Sequence, residues 1–279
     1  MISCKEYVEI KKKELKEKVG TFKRRPKLCV VQIGNDPASN SYIKGKKKDC
    51  EEIGIIFNHL HIENYEEVSQ PVLMEMIELI DADPTTDGII IQLPIPDKYN
   101  IKELQQCISP EKDVDGFRKD SYFKPCTPKG IIDWLKYNKY DFVGKNAVVV
   151  GRSEIVGKPL VNMSIDEGAT VTCCNSHSDV MFYTQYADIV FSAIGKPKYF
   201  DHKWFDLSCP PKIIVDIGIN RDENGKLCGD INKFDLEVYF GDETNVYITS
   251  VPGGVGLLTR ETLMDNVICA YEMHMKGSK

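Results

Sequence analysis

Hydrophobic positions in the first half of the chain alternate between a helical and an extended period. From Cys4 to about Lys18 the sequence is charged, with Val8, Leu15 and Val19 at helix-compatible spacing, which predicts a mostly exposed first helix. Lys27 to Ile33 then predicts a short strand. Asp36-Pro37-Ala38-Ser39 is a turn followed by a capping residue, and Tyr42, Lys46, Cys50 and Ile53 repeat on one face of a second helix that Gly54 ends. Ile55 to Leu60 predicts a second strand. Val72, Leu73, Met76, Ile77 and Ile80, with Pro71 in the first turn, mark an amphipathic helix. Gly88-Ile89-Ile90-Ile91-Gln92 suits a strand buried on both faces of a parallel sheet. The first half therefore reads β-α-β-α-β.

A short helix near Ile101 to Cys107, a polar stretch through Lys112-Asp113-Val114-Asp115-Gly116 and a helix from Pro128 to Tyr137 lead to the polar segment Asn138 to Gly144. The domain junction is placed there, with residues 1–138 and 259–279 in one domain and 139–258 in the other. Strand Asn146 to Val150, a glycine-containing turn, a helix to Glu167, strand Thr170 to Cys174, a helix near Val180 to Tyr186 and strands Ile189 to Ile194 and Lys212 to Ile217 follow. This second alternation predicts right-handed crossovers and a doubly wound sheet. A last helix is expected from Thr259 to Met275, with Leu263, Val267, Ala270 and Tyr271 on one face.

Length and composition agree with two α/β domains: 279 residues, 42% hydrophobic and 28% charged. A net charge of −6 argues against a protein that coats nucleic acid or anionic membrane and favours a small-molecule partner. Cys4, Cys29, Cys50, Cys107, Cys126, Cys209, Cys228 and Cys269 are scattered, only Cys173 and Cys174 are neighbours, and no Cys-x-x-Cys occurs. They read as small buried hydrophobes in a reducing cytoplasm. The amino terminus becomes charged at once, without the apolar core of a signal peptide, and no run approaches the roughly 18 apolar residues of a membrane span.

Strand Ala147-Val148-Val149-Val150 runs into Gly151-Arg152-Ser153-Glu154-Ile155-Val156-Gly157 with a helix behind it, the place where a doubly wound fold offers backbone N–H groups to a pyrophosphate. Ser153 stands where the middle glycine of Gly-x-Gly-x-x-Gly would be, so a plain strand-to-helix turn stays open on spacing alone. Past the second strand the residues are Cys173-Cys174-Asn175-Ser176-His177, with no carboxylate for ribose hydroxyls. Arg152 and Ser176 can instead hold a 2′-phosphate, which favours NADP over NAD. Taken singly, a solvated arginine and an ordinary turn serine account for them as well.

Tyr42 and Lys46, four apart, project from one helix face. Lys44, Lys47 and Lys48 crowd the same helix, so spacing alone reads as a basic solvated face with an exposed aromatic. Gln92, however, ends the most apolar strand, where the carboxyl ends of parallel strands build ligand sites. Asp113 and Asp115 are ligand groups or turn formers, and Gly253-Gly254-Val255-Gly256 after Pro252 is a connector or a loop that lets backbone approach a ligand. His59 and His61 share a strand face with no carboxylate or cysteine beside them and read as surface residues, so no metal is expected.

From about Val30 to Glu272 the sequence resembles the bifunctional methylenetetrahydrofolate dehydrogenase/methenyltetrahydrofolate cyclohydrolase family. Seven motifs carry the resemblance in order: Asp36-Pro37-Ala38-Ser39 with Tyr42 and Lys46, Gly88 through Pro96, Lys112 through Phe117, Pro125 through Gly130, Gly151 through Pro159, Asp216 through Asn220, and Val251 through Gly256. It implies two α/β domains with folate in a cleft, the second a Rossmann-type NADP domain, a carboxyl-terminal helix returning to the first domain, and a cytoplasmic homodimer. It implies oxidation of 5,10-methylenetetrahydrofolate with NADP and hydrolysis of the methenyl product to 10-formyltetrahydrofolate, in the one-carbon metabolism that feeds purine, methionine and histidine synthesis. A monofunctional dehydrogenase and a non-enzymatic NADP-binding regulator are the rival readings. By the same resemblance Lys46 is the general base or proton shuttle, Tyr42 stacks on the aminobenzoyl ring, Gln92 tunes the lysine and Asp115 binds the pterin. Leu93, Pro94, Pro252, Gly253 and Gly254 complete the substrate set. The implied cofactor set is Gly151, Arg152, Ser153, Ile155, Val156, Gly157, Ser176, Ile194, Gly195, Ile219 and Thr259. Leu257-Leu258-Thr259-Arg260 departs from the family's usual Pro-Met-Thr followed by a small or apolar residue, and Ser250 replaces a usual proline.

Overall fold

The computed structural model describes residues 1, 3–205, 213–241 and 246–277; Cys209 and the expected strand start at Lys212 lie outside the described residues. Two compact units divide the chain: Glu9–Cys126 with Arg260–Lys279, and Met1–Val8 with Thr127–Thr259. Helix α1 (Cys4–Val19) and the last helix, α9 (Val255–Gly277), each have residues in both units.

The first unit is built on three parallel strands, β1 (Lys27–Ile33), β2 (Ile56–Ile62) and β3 (Gly88–Ile91), in the order β2-β1-β3. Helix α2 (Pro37–Ile53) starts where Pro37 suits the first helical position and the Asp36 carboxylate accepts the Ser39 N–H at 2.8 Å. The cap is therefore Asp36, the first residue of the expected turn, and Pro37, Ala38 and Ser39 already belong to the helix. It ends at Gly54, whose φ of 101° is the left-handed conformation that glycine tolerates. Leu28, Val30 and Ile90 pack with Ile43, Cys50 and Ile53 of α2 and with Leu263, Met264, Val267 and Ile268 of α9. On the other sheet face Cys29, Val31, Ile33, Ile89 and Ile91 meet Leu73 and Ile77 of α3 (Gln70–Ala82) and Leu104 of α4 (Ile101–Gln106). Cover on both faces is why β1 and β3 read as continuous apolar runs, and each such side chain contributes roughly 1.5–3 kcal/mol.

Asp87, one residue before β3, is fully buried. Its oxygens accept both Arg24 Nη atoms at 2.7 Å, the Lys27 N–H at 2.8 Å and a 3.1 Å contact from His274 Nδ1. The carboxylate thus joins the start of β1, the start of β3 and the end of α9.

The second unit holds five parallel strands. Helix α5 (Cys126–Tyr137) precedes β4 (Asn146–Val150), α6 (Gly157–Asp166), β5 (Thr170–Cys174), α7 (Val180–Thr184), β6 (Ile189–Ser192) and β7 (Ile213–Asp216). A hairpin of β8 (Asn220–Arg221) and β9 (Leu227–Cys228), α8 (Lys233–Phe240) and β10 (Tyr247–Ile248) follow. The order β10-β7-β6-β4-β5 is doubly wound, with β4 and β6 adjacent although β5 separates them in sequence. Ile131, Ile132, Trp134 and Leu135 of α5 pack with Val149, Phe191 and Val215, which groups α5 with this sheet. The change of unit falls at Cys126/Thr127, against an expected junction in residues 138–144.

Elements β8 to β10 and α8 were absent from the expected set. The strands are two residues long, too short for a period, and Phe234 and Val238 lie exposed on α8, so its apolar residues form no single buried stripe. Helix α9 begins four residues before its expected start, because Val255 and Leu258 are buried in the core of the second unit and Leu is a good helix former.

Burial alone pushes the Asp87 carboxyl up, but the hydrogen bonds from Arg24 and His274 and the Lys27 N–H outweigh it and hold it below the usual carboxylate range. Stability from this group is present above the unfolded value and lost as pH falls through the folded one. Asp87→Ala should lower the unfolding free energy by about 3–5 kcal/mol in urea titrations at neutral pH, with a smaller difference from wild type in acid.

Candidate active site

Helix α2 places Tyr42 and Lys46 one turn apart, but the two meet different environments from their basic neighbours. Lys44, Lys47 and Lys48 are exposed, whereas Lys46 is only 7% exposed. Its Nζ donates at 2.9 Å to Oε1 of Gln92, the first residue after β3. The Gln92 amide is itself held, since Nε2 donates to the Leu93 carbonyl at 2.8 Å. Ser39 Oγ of α2 donates to the same carbonyl at 3.1 Å, tying the chain's exit from β3 to the helix that carries the lysine. The solvated-face reading fits three of the four lysines and fails at Lys46.

Burial pushes the Lys46 amine below its ordinary range; Asp115 opposes this and Arg260 adds to it. Asp115, half-buried in the turn between α4 and α5, is pushed up by burial, with Lys46 opposing and Asp113 assisting. Both groups are thus displaced toward their neutral forms, as a group that takes and returns a proton near neutral pH must be. The neighbouring Asp113 has a separate task, because its Oδ2 accepts the Arg118 N–H at 2.9 Å and fixes the turn. Tyr42 is half-buried, and burial raises its phenol. Leu93 and Pro94 open a groove that continues along Ile95, Pro96, Asp97, Tyr99 and Ile101. His59 Nε2 and His61 Nε2 bond to Gln32 Oε1 and the Gly34 carbonyl, both at 2.9 Å.

In the second unit the β4–α6 turn is wound so tightly that side chains are excluded at two points. Gly151 has φ of 116°, and a Cβ there would lie 2.2 Å from the Ala193 carbonyl oxygen; at Gly157 it would lie 2.2 Å from that of Gly151. Ser153 Oγ accepts the Gly157 N–H at 3.3 Å, so the serine supports the turn from within. Val156 precedes α6 without a side-chain cap, and Arg152, Ile155 and Ser176 are exposed. No carboxylate follows β5 directly; Asn175 Oδ1 accepts the His177 N–H at 2.8 Å. Ile194 and Gly195 leave β6 beside Gly151, where strand order reverses and such sheets bind ligands. A backbone cradle that a Cβ would fill, an exposed arginine and no carboxylate directly after β5 fit an NADP phosphate. Ile219 is exposed, and Thr259 Oγ1 lies 3.0 Å from Thr127 Oγ1. Pro252, Gly253 and Gly254 also belong to this unit, and Gly254 is buried with the Ser250 carbonyl 2.3 Å from where its Cβ would be.

Sequence reasoning missed the buried carboxylates of Asp216 and Asp230. Asp216 ends β7 and accepts N–H groups from Gly218, Asp230 and Ile231 at 2.9–3.1 Å. Asp230 accepts Ser192 Oγ, the Ile194 and Lys196 N–H groups and Asn220 Nδ2 at 2.8–3.0 Å, and so shapes the loop after β6. The motif Asp216-Ile217-Gly218 was a signal for the first; Asp230 lies in a stretch without periodicity.

A doubly wound sheet with a glycine cradle at its switch point, joined to a second α/β unit holding a buried lysine, defines a two-domain nucleotide-dependent dehydrogenase. Residues 2–115 match the family model for the tetrahydrofolate dehydrogenase/cyclohydrolase catalytic domain, and residues 125–275 that for its NAD(P)-binding domain. The chain belongs to the tetrahydrofolate dehydrogenase/cyclohydrolase family. It is 42% identical over 274 residues to the bifunctional protein FolD of Agathobacter rectalis, covering 94% of this chain and 95% of that protein. The crystal structure of the bifunctional FolD from Campylobacter jejuni superposes with a TM-score of 0.89 at 35% identity, covering 97% and 98% of the two chains. The FolD of Trypanosoma brucei, solved with NADP cofactor and an inhibitor, gives 0.85 at 26% identity over 98% and 97%.

Burial, with Asp230 assisting and backbone N–H groups opposing, pushes the Asp216 carboxyl up to about 7. Between the unfolded carboxylate value near 4 and this value the native state keeps a proton that the unfolded chain has released, so stability falls as pH rises through that window, by up to roughly 4 kcal/mol. Asp216→Asn cannot ionise and should show a flatter dependence, measured as denaturation midpoints below and above the window.

Proposed function

We infer that this protein oxidises 5,10-methylenetetrahydrofolate with NADP and hydrolyses the methenyl product to 10-formyltetrahydrofolate, in one-carbon metabolism. The observation that carries the second activity is the buried Lys46 amine on Gln92. A dehydrogenase alone has no use for a proton acceptor that is costly to bury, which disfavours the monofunctional reading, and a bare NADP-binding regulator has no use for the lysine at all.

The three-stranded unit takes the folate and the five-stranded unit the dinucleotide. NADP supplies the acceptor for the hydride leaving the methylene carbon. Gly151, Arg152, Ser153, Ile155, Val156 and Gly157 hold its phosphates, with Arg152 and Ser176 on the 2′-phosphate; Ile194, Gly195, Ile219 and Thr259 line the rest of its site. Tyr42 presents its ring to the aminobenzoyl group, Asp115 accepts from the pterin, and Leu93, Pro94, Pro252, Gly253 and Gly254 shape the substrate's surroundings. Oxidation leaves a cation on the folate, which a neutral lysine does not repel. Lys46 then takes the proton of the attacking water, while Gln92 Oε1 holds Nζ in place.

The same reading makes the protein a cytoplasmic homodimer whose partners are tetrahydrofolates, with no nucleic acid or membrane. Exposed Met181, Phe182, Tyr183 and Tyr186 on and beside α7 support a covered face on the second unit. Among the described residues no cysteine forms a disulfide and no helix is long and apolar enough to cross a membrane.

Lys46→Met should lower cyclohydrolase turnover by at least about 100-fold, the low end for loss of a general base, while dehydrogenase activity stays measurable. Absorbance assays of both steps on one preparation decide it, and retained hydrolysis removes Lys46 as the base. Arg152→Ala should raise KM for NADP with little change for NAD; equal effects on the two cofactors would overturn the 2′-phosphate assignment.

A further inference from the structure

Arg260, on α9, sits against the turn of α2 that carries Tyr42 and Lys46. A Cβ on Gly45 would lie 2.0 Å from Arg260 Nη1 and 3.2 Å from its Cζ, so the guanidinium occupies the space that any other residue at 45 would fill. Glycine inside a helix is less favourable than alanine, and Gly45 has no positive φ to justify it. The packed cation is the reason that remains. Arg260 Nε is held by Asp49 Oδ2 at 3.1 Å, and Asp49 is 1% exposed on the same helix, three residues beyond Lys46. Lys12 Nζ donates to the other oxygen of Asp49 at 2.6 Å. Lys12 Nζ also pairs with Glu52 at 2.8 Å, so two carboxylates and two cations share the cluster, and Arg260 is the cation that lies on Gly45.

The groups acting on Lys46 come from every element around it. Asp115, in the turn between α4 and α5, favours the ammonium; the Cys126 thiol at the head of α5 and the Cys50 thiol of α2 act in the same sense, and Arg260 acts in the opposite one. Gln92 is neutral and only orients the amine.

We propose that Arg260 is a positioning residue for the hydrolytic step: seated on Gly45 and paired with Asp49, it holds a fixed positive charge on the turn of α2 that presents Lys46. This rests on the assignment of Lys46 as the base. Arg260 also weighs on the Tyr42 phenol in the direction expected of a nearby cation.

The test compares wild type, Arg260→Met, Arg260→Lys and Gly45→Ala in the pH dependence of cyclohydrolase turnover. Arg260→Met should move the ascending limb to higher pH, with a rate loss on the order of threefold on its acid side and little change in KM. Arg260→Lys keeps the charge and should retain the wild-type limb. Gly45→Ala displaces the guanidinium without stranding Asp49, so it should move the limb the same way even where loss of the arginine prevents folding. An unmoved limb in folded Arg260→Met or in Gly45→Ala overturns the proposal, as does a rise in KM alone, which would make Arg260 a substrate contact. Carbamylation of Lys46 by cyanate across pH, mapped by mass spectrometry, needs no turnover. Absent hydrolysis in wild type would sink the base assignment, while labelling that is the same with and without the Arg260 charge would sink this one.

Discussion

Taking a lysine amine out of water costs several kcal/mol unless it is paired or gives up its proton, and the first unit is arranged around that constraint. Lys46 is buried by α2, which lies on the sheet because Ile43, Cys50 and Ile53 lock into the core beneath it. One hydrogen bond to Gln92 Oε1 compensates the amine without supplying a counter-charge. A carboxylate in the same place would have held the ammonium and ended its use as a base. Asp115 does act on Lys46, but its own carboxyl is pushed toward the neutral form, so the pair is poised rather than locked.

The second unit solves a different problem with backbone instead of side chains. A pyrophosphate needs N–H groups at close range, and the β4–α6 turn offers them only because Gly151 and Gly157 carry no Cβ to collide with Ala193 and Gly151 carbonyls. Ser153 replaces the glycine usually found between them, and its hydroxyl accepts a turn N–H, so the loop keeps its shape by hydrogen bonding where others keep it by freedom of φ. Asp230 does the same from below for the loop after β6, accepting two backbone N–H groups from residues 194–196. The shapes of these two loops are thus set by a buried carboxylate and absent side chains.

How far these features were legible depends on the range of the interaction that creates them. Strands β1, β4 and β5 fell on their expected residues, and α2 and the last helix on their expected faces, because burial on a repeating period leaves its mark within a few residues; on α3 Leu73 and Ile77 are buried as expected but Val72 is exposed. The glycine turn and the missing carboxylate after β5 were legible for the same reason. By contrast Asp36 as cap, the early start of α9 and the grouping of α5 with the second sheet depend on which surfaces those residues meet. The short elements between Gly218 and Gly254 carry no period to read.

Sequence by itself determined the two β/α alternations, the parallel sheets and, through seven ordered motifs, the family with its NADP cofactor. Tertiary structure alone decided that one lysine of the cluster on α2 is buried while its three neighbours stay in water, since a helical period of 3.6 residues says which side chains share a face but not which face meets Gln92. It also decided the places of Asp49 and Arg260, which are 211 positions apart in the chain and meet over a glycine. Charge and burial act through space, and only folding brings those distances within their reach.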